Sequence, residues 1–209
     1  MEPEMYFFFH EIKAPSCPVF INGLLHEKFI SNGADVEMNY TWHWADDGEA
    51  LASLPDELWL ITKDRGYSFD FRHAFGGYIV SAKLLSLMDE HGSKNWERSS
   101  LCIVNKKKEF ISKVDYFFVR ASEKSVLSNV VDLSKSKVEL RKDGAIKSLK
   151  SLSLIDRIGE EIFLVNELAL LGKVFCSSNF ETMFRKDAWQ GVDLLPEEKI
   201  GAVKQLWDQ

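Results

Sequence analysis

A chain of 209 residues can bury one sizeable core, or a small one beside a larger one. Its 45% hydrophobic and 28% charged content excludes a disordered chain. No window approaches the roughly 18 uninterrupted apolar residues of a membrane span. The net charge of −6 is unevenly placed: residues 1–60 carry 11 Asp and Glu against 2 Lys and Arg, or −9, while residues 61–209 carry 24 basic against 21 acidic, or +3. An acidic first third would repel phosphates, so nucleic acid is not an expected partner. It suits either a solvated, solubilising surface or a face for a basic protein.

Met5–His10 (MYFFFH) is a continuous aromatic run, as for a strand with both faces covered. It is short and follows Glu2 and Glu4, so a secretory leader is not expected. Val19–Ile21 reads as a short strand ended by an Asn22-Gly23 turn, and Leu24–Ile30 fits a strand or a helical turn equally. Val36–Trp44 alternates: Val36, Met38, Tyr40, Trp42 and Trp44 share one face of a half-buried antiparallel strand. Asp46-Asp47-Gly48 is a turn, Glu49–Leu54 at most a short helix stopped by Pro55, and Leu58–Thr62 a buried strand. Lys63–Gly66 reads as a tight hairpin turn into a second alternation of Tyr67, Phe69 and Phe71. Ala74-Phe75-Gly76-Gly77 is the expected boundary between lobes.

Two strand–helix–strand units follow. In the first, Tyr78–Val80 leads to the cap Ser81, the apolar stripe Leu84, Leu85, Leu87 and Met88, a stop at Gly92 and a strand at Leu101–Val104. Lys106–Lys108 marks a hairpin tip before Phe110–Arg120, and Lys142-Asp143-Gly144 is a turn between Val138–Leu140 and Ile146–Leu154. Ile162–Val165 is a strand. The second unit, Lys173–Pro196, has Ser178 and Glu181 as a capping box, a stripe of Phe180, Met183 and Phe184, and Gly191 as its stop. Glu197–Trp207 reads as a surface helix. The fold class expected is α+β: a small, acidic, Trp-rich β lobe over 1–75, then a larger α+β domain over 76–209 with a mostly antiparallel sheet.

No catalytic constellation stands out. His10, His26, His43, His73 and His91 are scattered, without metal-chelating spacing. Cys17, Cys102 and Cys176 lack the flanks of a catalytic thiol and are expected as buried free thiols in a reducing cytoplasm. Cys176 lies just before a helix start, where the dipole would favour a thiolate, but a small buried strand-end residue explains it as well. Gly76-Gly77 opens a strand rather than a phosphate loop. No catalytic residue, metal or cofactor is therefore assigned. The least bland feature is the aromatic segment running into a carboxylate cluster, which has the composition of a contact hot spot for a basic protein. Its candidate residues are Trp42, Trp44, Asp46, Asp47, Glu49, Asp56 and Glu57.

From Gly77 onward the order of elements resembles a known family. The pieces are Tyr78-Ile79-Val80-Ser81 opening a helix, the strands around Leu101–Val104 and Tyr116–Arg120, and Val131-Asp132-Leu133-Ser134-Lys135-Ser136. Ile162-Phe163-Leu164, a Ser-capped helix and Gly191-Val192-Asp193-Leu194 complete it, with Leu194 where an aromatic is typical. Over roughly 130 residues, in the order of elements and in these cap, core and turn motifs, the chain resembles the immunity proteins of bacterial polymorphic toxin systems, groups eleven and forty-three. The resemblance implies a non-catalytic cytoplasmic protein that binds a cognate toxin domain, here expected to be basic, for instance a nuclease. It carries over no site residues. An enzyme reversing a toxin-made modification, and a regulatory or scaffold module, are the alternatives.

Overall fold

The structure, a computed structural model, describes residues 4–31, 40–43, 51–91 and 95–203. Thirteen strands and two helices occur among them. The strands are β1 (Tyr6–Glu11), β2 (Gly23–His26), β3 (Glu57–Thr62), β4 (Phe71–Ala74), β5 (Gly77–Ser81), β6 (Trp96–Val104), β7 (Tyr116–Ala121), β8 (Val126–Leu127), β9 (Lys137–Leu140), β10 (Ile146–Ser151), β11 (Ile162–Val165), β12 (Val174–Ser177) and β13 (Val192–Pro196). Helix α1 (Ala82–Glu90) follows β5, and α2 (Ser178–Phe184) follows β12. A five-stranded sheet runs β13-β1-β12-β11-β8, a six-stranded sheet β2-β3-β6-β7-β5-β4, and β9 with β10 forms a separate hairpin.

This overturns the α+β expectation and its lobes. The described chain is mostly β, and its helices are only nine and seven residues long. No N-terminal lobe stands apart, because strands from the first 75 residues pair with strands from the rest. β1 lies between β12 and β13, and β3 lies beside β6 in parallel register. The reason is burial on two sides. Tyr6 and Phe8 face one core with Phe163 and Phe175, while Phe9 faces another with Phe71, Phe180 and Phe184. Such a strand needs neighbours on both edges to satisfy its backbone groups. The Phe75-Gly76 boundary is instead the tip of the β4–β5 hairpin, with φ of 56° and 72° at its two central residues, as a primed turn requires.

The six-stranded sheet also buries both faces over most of its width. Tyr78, Val80 and Val119 pack toward the five-stranded sheet and the helices. Leu58, Leu60, Ile79, Leu101, Ile103 and Phe118 pack on the opposite side with Trp42, Tyr67 and Phe69. Lys63–Gly66 is not a hairpin turn: β3 pairs with β2 and β6, and Tyr67 meets Ser112 in an isolated parallel bridge. The turn closes on itself instead, the Tyr67 hydroxyl donating to Asp64 Oδ2 at 2.6 Å and Asp64 N to Thr62 Oγ1 at 3.1 Å.

Both helices start at serine caps. Ser81 Oγ accepts from Leu84 N at 3.2 Å, as its spacing implies. In α2 the cap is Ser177, one residue before the expected Ser178, its Oγ accepting from Phe180 N at 3.1 Å. Glu181 is then misplaced for a capping box and pairs with Arg185 at 2.8 Å, one turn on. The expected tail helix is a short 3-10 turn over Glu197–Lys199, with 200–203 non-helical and later residues outside the described set. The described part of Glu49–Leu54 is likewise not helical.

Arg72, 2% exposed, holds the two sheets together. Its guanidinium donates to the carbonyls of Pro18 (3.1 Å), Phe71 (2.8 Å), Gly191 (2.6 Å) and Ile12 (3.1 Å), and lies 5.4 Å from the Phe69 ring centroid. Ile12 extends β1 and Gly191 precedes β13, so one side chain on β4 clasps the adjoining ends of two strands at one edge of the neighbouring sheet. Gly191 has φ of 78°, and a Cβ there would lie 3.0 Å from both terminal guanidinium nitrogens. Arg72→Leu is expected to destabilise the protein by about 3–5 kcal/mol in urea unfolding, because several buried carbonyls lose their donor. Arg72→Lys should recover only a minor part, since one ammonium cannot span this fork.

Candidate functional site

Of the seven candidate residues, Trp42, Asp56 and Glu57 lie within the described residues; Trp44, Asp46, Asp47 and Glu49 lie outside them. Trp42 requires a correction. It is 4% exposed and belongs to the core, not to a contact surface. Its ring stacks on Tyr40 at 5.3 Å and meets Phe118 edge-on at 6.3 Å, and its indole N–H donates to Glu27 Oε1 at 2.8 Å. The described part of the expected strand Val36–Trp44 is a turn, closed by His43 N donating to Tyr40 O at 2.9 Å. Backbone groups spent on that turn are not available to a ladder.

The ends of the acidic segment are firmly held. Ala52 N donates to Thr41 O at 3.1 Å. Arg120, on β7, donates to the carbonyls of Trp42 and Ala52 while pairing with Glu97 on β6. Residues 41–42 and Ala52, on either side of that segment in the sequence, are therefore pinned together. From there residues 51–56 run along the start of β6. The Pro55 carbonyl accepts from Ser99 Oγ, and the Asp56 carbonyl from Ser100 N at 2.9 Å and Ser100 Oγ at 3.0 Å. These contacts use Asp56's backbone and leave its exposed carboxylate without an ion pair among the described residues.

Beyond Asp56 the six-stranded sheet has an open face. In β3, Leu58 and Leu60 are fully buried, whereas Glu57 is exposed and Trp59 half-buried. Their register partners in β6, Ser100 and Cys102, are exposed and half-buried. The same face is sealed farther along by Tyr78, Val80 and α1. Trp59 donates its indole N–H to Glu57 Oε1 at 2.9 Å, and Phe29 meets its ring at 5.9 Å and 64°. The Lys108 ammonium lies 4.9 Å from the Trp59 centroid and 5.5 Å from that of Phe29. Of the residues that the sequence singled out, Glu57 lies on this face; Phe29, Trp59 and Lys108 were not among them. The signal was present: if Leu58 and Leu60 face the core, Glu57 and Trp59 must face the other way.

Other reactive groups are committed to the fold. Burial pushes the Cys176 thiol well up, with Glu181 and Glu161 adding to the effect, so it has no thiolate character despite its place before α2. Cys17 and Cys102 are half-buried and free, their thiols also raised mainly by burial. Among the described residues no group of His, Cys, Asp or Glu is placed to hold a metal ion. Glu197 is the one carboxyl of the described residues lifted toward neutrality, to about 7, by burial first and then by Glu198 and Asp156. Its Oε1 accepts from Leu154 N at 3.0 Å, so it ties the C-terminal 3-10 turn to the strand-like segment beside β10.

Half-buried rings flanked by exposed carboxylates are the makings of a protein-contact surface. The model of the family Immunity protein 43 matches residues 10–204, and the chain belongs to that family. It is accordingly an immunity protein of a toxin system, a class that binds a cognate toxin protein. No curated protein matches the chain. No helix among the described residues is long and apolar enough to cross a membrane.

Glu197 gives a pH signature to the fold. Because its folded value of about 7 lies above the ordinary carboxylate range, the native state holds the extra proton between about pH 4.5 and 7. Stability from this group is thus fullest at the acid end and is lost as pH rises through 7, by about 3 kcal/mol in all. Chemical unfolding measured from pH 4.5 to 8 should show this slope, and Glu197→Gln should flatten it.

Proposed function

We propose that this chain neutralises a basic toxin domain by stoichiometric binding, through an acidic face that starts at Asp56 and Glu57. The observation that carries the reading is the exposed Glu57 carboxylate on an open sheet face, beside rings able to anchor a contact, with the exposed Asp56 just before it in the chain. The first 60 residues hold the whole acidic excess, −9, to which Asp46, Asp47 and Glu49 belong. Trp44 enters the proposal as their neighbour in the sequence. A toxin that handles phosphate, such as a nuclease, needs a basic surface, and an acidic inhibitor is steered to it. Acting on a toxin made in the same cell, or delivered by a sibling, places the protein in the cytoplasm, with membrane and nucleic acid as bystanders.

The check is association with the cognate toxin domain, to be sought by co-purification with the products of adjoining genes. Asp56→Lys with Glu57→Lys, and separately Asp46→Lys, Asp47→Lys and Glu49→Lys together, should slow association about tenfold or more at low salt. The deficit should shrink as ionic strength rises and screens the field. Association and protection that are both unchanged at low salt would remove this face from consideration.

A further inference from the structure

We infer that the Phe29–Trp59 ring pair is the seat for a lysine or arginine side chain of the bound protein partner, and that Lys108 fills this seat in the free protein. The inference rests on the acidic-face reading above and names its anchor point. The two rings stand at 64° with centroids 5.9 Å apart, forming a corner. One ammonium reaches both, at 4.9 and 5.5 Å, within the range in which a ring quadrupole attracts a cation.

The turn that delivers Lys108 is stiff. Lys108 N donates to Asn105 O at 3.0 Å, while Asn105 Oδ1 accepts from Lys107 N at 2.9 Å and Glu109 N at 3.0 Å. Lys108 itself has φ of 65°, a left-handed conformation that costs a side-chain-bearing residue. Of the three adjacent lysines only this one meets the rings; Lys106 and Lys107 line a separate groove with Lys63 and Arg65.

The seat suits an external cation better than its present occupant. Lys108 is exposed and has no ion pair among the described residues, so it is held by the rings alone. Glu57 is fixed at the ring edge, its Oε1 accepting from the indole N–H and its Oε2 from the Cys102 thiol at 3.6 Å, and the exposed Asp56 precedes it in the chain. An arginine entering from a partner would gain the ring faces and a planar carboxylate together, which an arm anchored at the Asn105–Lys108 turn does not. Carboxylates at the rim repel a phosphate backbone, so the occupant belongs to a protein.

The test uses octa-arginine as probe, by calorimetry at low ionic strength on the full chain, with thermal unfolding to confirm that each variant folds. Lys108→Gly accepts the left-handed backbone and vacates the rings; it should bind the probe about threefold to fivefold more tightly than the parent. Lys107→Gly, which removes the same charge away from the rings, should show less than half that gain. Trp59→Leu should weaken binding and abolish the benefit of Lys108→Gly. In the free parent the Lys108 ε-methylene protons should be shifted upfield by the rings and should return downfield as the probe is added, a readout that survives if Trp59→Leu fails to fold. Equal gains from Lys107→Gly and Lys108→Gly, or ε-protons unmoved by bound probe, overturn the seat. Binding that is lost on reversing Asp56 and Glu57 but ignores Lys108 and Trp59 overturns the seat and leaves the acidic face standing. Absence of binding to every variant overturns both.

Discussion

Arg72 is the constraint on which the arrangement of the two sheets depends. Taking a guanidinium out of water is costly unless its N–H groups are met. Here they are met by carbonyls of the 12–18 loop, of β4 itself and of the residue before β13. Burial draws its affinity for the proton down, while Glu11 nearby pulls the other way. Neighbouring contacts repeat the same junction. Asp70 accepts from Ser81 Oγ and Gln190 N, both at 2.6 Å, and the Gln190 side chain is shared between Ser68 and Pro15. Polar groups at this seam are satisfied in a way that fixes one sheet against the other, which apolar packing alone specifies less sharply.

The candidate face lies far from that seam along the same sheet, and the contrast explains why it can serve. The six-stranded sheet has more strands than its covering layer reaches. Where α1 and the five-stranded sheet lie over it, Tyr78, Val80 and Val119 are sealed. Where the cover stops, the same row continues as Glu57, Trp59, Ser100 and Cys102. A rigid strand pair thus presents its side chains outward without needing a loop to order on contact, which lowers the entropic cost of association. Arg120 extends this order to the base of the acidic segment, through two carbonyls and Glu97.

Local chemistry was legible in the sequence where the cause was local. Ser81 with its stripe of Leu84, Leu85 and Met88 is readable because cap and period lie within one segment. The doubly covered nature of β1 was readable from its unbroken aromatics. What escaped depends on partners distant in the chain. Nothing within Lys63–Gly66 reveals that β3 already has two neighbours, so a hairpin was the natural reading. Gly-rich Phe75–Gly77 looks the same as a linker or as a hairpin tip, and pairing of Phe71–Ala74 with β5 decides between them. Alternation across Tyr40 and Trp42 suggested a strand face, but two rings two residues apart can equally stack in a turn. Asp56 and Glu57 are exposed, as charge by itself favours, whereas an indole's exposure is set by whatever covers it.

The central place of β1 has a consequence for how the protein is made. Its strand neighbours, β12 and β13, are separated from it by residues 12–173 or more of intervening chain, so on a ribosome adding about 5–20 residues per second the aromatic run Tyr6–Phe9 waits roughly eight seconds or longer for them. During that interval an apolar strand with two bare edges is open to the wrong partners. Sheet closure therefore waits until β12 and β13 have been made, and its distant pairings place it among the slower-folding topologies. For a protein whose task is to meet a toxin as soon as it appears, protection would depend on a stock folded in advance rather than on copies still emerging.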